Sequence, residues 1–198
     1  MNSLPILNPY KIMVLNFEQD MKQILHNGFP AYNIKFPIKN NVQEMLINYL
    51  TVHSKLIAPK IRNVLYNPIL KNNLINHPKR NEIEFLAGLF EKGRDVNLFQ
   101  NAKLFESGYP DDLLIEWNIH HFHLSLKKEK KSPFFKRTNQ LLFAYLEENQ
   151  IIFLDVENHR EGIFGDIKWI EILHDHFQEV IEHFLKSHVC MLASHLYH

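Results

Sequence analysis

The chain has 198 residues, 45% of them hydrophobic and 15 of them phenylalanine, enough for a sizeable core and too apolar for global disorder. Formal net charge is zero, which excludes a uniformly basic nucleic-acid binder and leaves only local patches to consider. The single cysteine, Cys190, can form neither an internal disulfide nor a cysteine-based zinc site, and the opening MNSLPILNPYK lacks the basic and apolar regions of a signal peptide. No run approaches the ~18 apolar residues of a membrane span. A cytoplasmic protein in a reducing compartment, without a membrane partner, is expected.

The first hundred residues predict helices. Phe17, Met21, Ile24 and Leu25 recur at helical spacing before Gly28 and Pro30. AYNIKFPIKN reads as a short extended piece. Val42, Met45, Leu46, Tyr49, Leu50 and His53 mark a second helical face. Pro59, Pro68 and Pro78 predict short helices after it. Asn81 reads as the cap of a helix through Phe90, with Glu84 completing a capping box and Gly93 ending it. From Asp111 the pattern turns to period two. LLIEWNIHHFHLSL reads as a strand, KKEKKSPFFKR as a charged loop, and QLLFAYLEE with QIIFLDVE as a hairpin around Glu148 and Asn149. A loop with Gly162 and Gly165 leads to a last helix, Ile167 to Lys186, with Ile170, Leu173, Phe177, Val180, Ile181 and Phe184 in one stripe. The expected fold class is α+β: a helical N-terminal half over residues 1–100, then a small, mainly antiparallel sheet covered by a C-terminal helix over 101–198. These are either two regions or one continuous domain.

Histidine is the unusual residue, with 13 copies, three of them within His120–His123 and six between His174 and His198. Alternation along W-x-I-H-H-x-H-L sends His121 and His123 to one face, and His120, Phe122 and Leu124 to the other. Phe122, Leu124 and Leu126 fit a core, so His121 and His123 are the pair expected to face a cleft. Their Cβ atoms would stand roughly 6.5–7 Å apart, from a rise of about 3.3 Å per residue. That separation suits two ligands of one metal ion, or a general acid or base beside a phosphate. Cross-strand hydrogen bonding alone is the plainer alternative. Any chemical site is therefore expected between Trp117 and His159.

Between residues 127 and 137, Lys127, Lys128, Lys130, Lys131, Lys136 and Arg137 face only Glu129, which suits RNA phosphates or a solvated loop equally. Arg137 can bind a phosphate bidentately, Thr138 can add a hydroxyl donor, and Asp155 or Glu157 would be structural partners for Arg137. His159 would approach His121 and His123 if the hairpin returns its strand beside the first. Asp155 would then orient a histidine or complete a metal set of His121, His123, His159 and Asp155. His174, His176 and His183 read as surface residues, and HEXXH is absent, as are a Gly-rich phosphate loop, GxSxG and CxxC.

Taken in order, GRDVNLFQNAKLF, DLLIEWNIHHFHLS, RTNQLLFAYL, IIFLDVENH and WIEILHDHF resemble a family of small, poorly characterised bacterial proteins. That family reads D-x-L-L-x-x-W-x-I-H-H-x-H-L, then R-T-x-x-L-L-F-A, then D-x-x-x-H. The resemblance spans roughly residues 85–185, and this chain departs from it at Asn118, where glycine is expected. The layout is similar to ribonuclease toxins of the RelE and colicin type, an analogy of fold alone. The family carries no assigned activity; the leading expectation from the residues themselves is a metal-independent endoribonuclease without a cofactor, a toxin or phage-defence effector with RNA as substrate and a cognate antitoxin or immunity protein as partner. Its catalytic residues would be His121, His123, Arg137, Thr138 and His159. A metal-dependent hydrolase and a non-enzymatic RNA- or protein-binding module are the alternatives.

Overall fold

The computed structural model describes residues 16–28, 41–106, 111–183 and 185–186; the extended piece expected at 31–40, Cys190 and the tail VCMLASHLYH lie outside them. α1 (Phe17–Gly28) and α2 (Val42–Lys55) form where helices are expected and bury Leu25 against Met45, but their predicted apolar stripes are only partly covered: Phe17, Ile24, Leu50 and His53 are exposed. Asn41 caps α2 by accepting the Glu44 backbone N–H at 2.9 Å. The next element departs from the helical expectation. NVLY forms a strand, β1 (Asn63–Tyr66), too short to display a period and held by parallel pairing with a strand about 90 positions later in sequence. After α3 (Pro68–Asn73), capped by Asn67, comes α4 (Arg80–Glu91). The Asn81 capping box does not form: the cap position falls two residues earlier, at Lys79, and Glu84 pairs with Arg80 at 2.7 Å. Gly93, at φ +61°, follows the helix end as expected; a Cβ there would meet the Ile61 backbone N at 2.9 Å.

LLIEWNIHHFHLSL is not one strand. Asp111 accepts the Leu114 N–H at 3.2 Å and starts a short helix, α5 (Asp112–Trp117), that buries Leu113 and Leu114. Asn118 adopts the left-handed conformation, φ +53°, and turns the chain into β2 (Ile119–His123). The apolar pair in DDLL thus serves a helix face, although the same residues fit a strand.

β3 (Gln140–Leu146) and β4 (Gln150–Asn158) form the predicted hairpin, and the sheet runs β1-β4-β3-β2, parallel at its first pairing and antiparallel at the other two. The fold is α+β. One face packs under α4, where Ile83, Leu86 and Phe90 meet Phe122, Leu142 and Phe153. The other lies under α6 (Lys168–His176), where Trp169 and Leu173 meet Phe143, Ile152 and Leu154. The first of these cores draws on both sides of the expected boundary at residue 100, and β1 joins the sheet from the N-terminal side. The last helix is interrupted: α6 stops at His176, Phe177 leaves helical geometry with φ −143°, and helix resumes at 178–183. The break keeps Phe177, Val180 and Ile181 on the α6-side core. No helix among the described residues is long and apolar enough to cross a membrane.

Candidate functional site

β2 alternates as predicted over Ile119–His123 and both of its faces are covered, but Leu126, expected on the core face, lies beyond the strand and is exposed. His120 points with Phe122 toward α4 and is 3% exposed. His121 and His123 point the other way, beyond the end of α6, into a cavity of about 600 Å³. His121, His123, Arg137, Thr138 and His159 all line it, so the sequence-predicted site residues converge on one concavity of ordinary ligand-site size, about 300–1,000 Å³.

The route by which His159 arrives differs from the expectation. β4 does not lie beside β2; β3 separates them. The three strands reach the same end of the sheet together. His123 pairs with Leu141, Gln140 pairs with Asn158, and the His159 N–H donates to the Asn139 carbonyl at 2.6 Å. Phe164 stands between the histidines, with ring centroids 4.8 Å from His121 and 5.7 Å from His159.

His123 Nδ1 lies 3.2 Å from the Thr138 carbonyl and 3.3 Å from the Thr138 N–H. Carrying a proton, Nδ1 donates to the carbonyl and leaves Nε2 as a base. Without one, it accepts from the N–H and leaves Nε2–H as an acid. Either tautomer is satisfied by one backbone unit without turning the ring. The Thr138 hydroxyl, expected as a donor to phosphate, is committed otherwise: it donates to the Gln140 carbonyl at 2.7 Å and accepts the Leu124 N–H at 3.1 Å. Thr138 positions His123 and joins β2 to β3.

His121 is 11% exposed at its side chain. Its Nδ1 lies 3.5 Å from Asp111 Oδ2, too far for a good hydrogen bond, and this buried nitrogen has no hydrogen-bond partner. Burial, then the nearby His159, pushes the His121 imidazole down to about 4; burial also leads at His123, likewise down to about 4. Both rings are neutral near pH 7. Asp111 shifts the opposite way, its carboxyl pushed up by burial despite the Leu114 N–H and Lys55. Arg137 is exposed at the rim, with no carboxylate partner among the described residues.

Asp155 does not belong to the site. β4 carries one extra residue, Leu154, opposite the Phe143/Ala144 step. The Asp155 carboxylate beyond this bulge pairs with Lys168 at 3.2 Å, and Glu157 pairs with the same ammonium. Lys168 thereby takes both carboxylates expected for Arg137. No three His, Cys, Asp or Glu side chains among the described residues converge as a metal-binding group, so the set His121, His123, His159 and Asp155 is not assembled.

Sequence reasoning missed Asp111, Asn139 and Phe164 as cavity residues. Asp111 had a usable signal, an aspartate two residues before the apolar Leu113–Leu114 pair, at a helix N-cap. Phe164 had none, because its place depends on the turn at Gly162. His174 and His176 are exposed on α6, as expected. The chain matches no family model, no curated protein and no solved structure.

Proposed function

We propose that this protein is a metal-independent endoribonuclease acting as a toxin or phage-defence effector, held in check by a cognate antitoxin or immunity protein. The observation that carries the reading is the convergence of two buried neutral histidines, an exposed histidine and an unpaired arginine on one cavity. Phosphodiester transfer within RNA needs these groups: a base for the 2′-hydroxyl, an acid for the leaving oxygen and a cation for the phosphorane.

His123 Nε2 takes the 2′-hydroxyl proton, its Nδ1–H braced by the Thr138 carbonyl. The 2′-oxygen attacks phosphorus and the P–O5′ bond breaks. His159 gives its proton to the departing 5′-oxygen, and Arg137 binds the non-bridging oxygens. The products are a 2′,3′-cyclic phosphate and a 5′-hydroxyl. A bound phosphate would also raise the proton affinity of His121 and His123 toward the neutral range, where a general base works best.

The test is cleavage of total RNA by the purified protein with and without EDTA. EDTA-resistant cleavage leaving 2′,3′-cyclic ends is expected, together with growth arrest on expression. EDTA-sensitive cleavage, or none, would overturn the mechanism.

A further inference from the structure

A second groove adjoins the histidine cavity and shares Arg137 with it. It measures about 310 Å³, and Lys131, Ser132, Phe134 and Phe135 contribute to its walls. Above it lies the basic segment 127–137, with six cations against Glu129 in a chain of zero formal charge. Not one of the six has an ion-pair partner among the described residues.

This segment is built into the fold. Lys128 and Phe135 form an antiparallel bridge, the Glu129 N–H donates to the Phe134 carbonyl at 3.0 Å, and the Lys136 N–H donates to the Lys127 carbonyl at 2.7 Å. The Phe135 N–H donates to the Leu98 carbonyl at 3.0 Å, and its ring stacks on Phe99 with centroids 3.9 Å apart. Like charges are thus gathered on a pinned hairpin, where mutual repulsion is a standing cost unless an anion occupies the patch.

We infer that this groove is a second nucleotide subsite, and that a single-stranded polynucleotide runs from the histidine cavity past Arg137 onto the lysine hairpin. The inference takes its ligand class from the ribonuclease reading. Cations beside the half-buried Phe135, over whose ring Lys128 Nζ lies 5.9 Å from the centroid, with the buried Phe134 beneath, match the alternation of phosphate and base along a strand. A concave subsite of this size admits an unstacked nucleotide, whereas a duplex keeps its bases paired and inside. An acidic peptide would use the lysines but not the rings. Glu129 is the one opposing charge at the groove, and it leaves a net excess of five positive charges over 127–137.

Binding of a fluorescent, uncleavable 2′-O-methyl RNA twelve-mer tests this without relying on cleavage. The full chain is compared with Lys130→Gln/Lys131→Gln, two exposed positions whose change leaves the hairpin hydrogen bonds intact, between 50 and 200 mM salt. The double variant is expected to bind at least tenfold more weakly at low salt. Its log affinity against log salt should be shallower by about 1.4, from roughly 0.7 per lost phosphate contact. Unchanged affinity and slope would overturn the subsite even if the protein cleaves RNA. An oligoglutamate twelve-mer binding the wild type as tightly as the RNA would also overturn it, in favour of an acidic-protein surface. The expected loss of binding, in a protein that cleaves no RNA, would sustain the subsite while removing the ribonuclease reading.

Discussion

The two faces of β2 hold histidines of similar proton affinity in different surroundings. His120 sits 6.2 Å from Phe122 in ring-to-ring stacking under the α4-side core, its Nδ1 3.4 Å from the Gln100 side-chain oxygen. His121 and His123, on the opposite face, open into a cavity rimmed by Arg137 and His159. Burial pushes His120 down to about 3 and the other two to about 4. A depressed proton affinity therefore marks burial, and the cavity distinguishes the pair with chemistry from the one without.

The largest effect expected from this comparison is shared by all three residues. Each ring is neutral when folded and protonates in the unfolded chain below its ordinary value of 6.5. Stability is therefore fully present above 6.5 and is lost as pH falls toward about 4. The loss is about 1.4 kcal/mol per pH unit for each histidine, or about 4 kcal/mol for the three, a large part of a typical domain's stability. Urea unfolding between pH 7 and 4.5 checks this. His120→Leu should flatten the slope by about a third and keep RNA cleavage. His123→Ala should flatten it similarly and lower cleavage about 10²–10⁴-fold. Equal loss of activity in both variants would dissolve the distinction between the faces.

On the sealed face, Phe122→Ala removes a ring wedged 5.8 Å from Phe90 and should cost about 3–5 kcal/mol of unfolding free energy. On the open face, the exposed His159→Ala should leave the urea midpoint nearly unchanged while cleavage falls about 10²-fold or more. Thr138→Val keeps the shape but leaves the Leu124 N–H and the Gln140 carbonyl without the hydroxyl. It should cost about 1–3 kcal/mol and lower activity through the loosened His123, with the conservative Thr138→Ser restoring both.

The open face was legible in the sequence to an uneven degree. Alternation along NIHHFHL assigned each histidine to its face, because the period of a strand is a local property. The hairpin of β3 and β4 was equally local, since both strands and their turn fall within twenty residues. The pairing of β1 with β4 was not, because Asn63 finds Gln150 only after the chain has folded. The single-residue bulge at Leu154 was hidden as well, and it decides that Asp155 meets Lys168 and stays out of the cavity. Local pattern thus named His121, His123, Arg137 and His159 and could have named Asp111 as a helix cap, while tertiary structure removed Asp155 and added Phe164.

The smallest effect concerns the hinge that aims the strand. Asn118 is the one described residue other than glycine with positive φ, at +53°, and its side-chain amide donates to the Leu146 carbonyl at 2.5 Å. A left-handed residue costs roughly 1–2 kcal/mol unless it is glycine or an asparagine with local hydrogen bonds. Asn118→Ala should therefore lose about that much, with some of the cost falling on cleavage as β2 tilts away from β3. Asn118→Gly removes the same hydrogen bond but relieves the backbone, so it should stay within about 1 kcal/mol of the wild type. If glycine proves as costly as alanine, the Leu146 hydrogen bond is what holds the hinge, and backbone freedom alone cannot set the angle at which His121 and His123 enter the cavity.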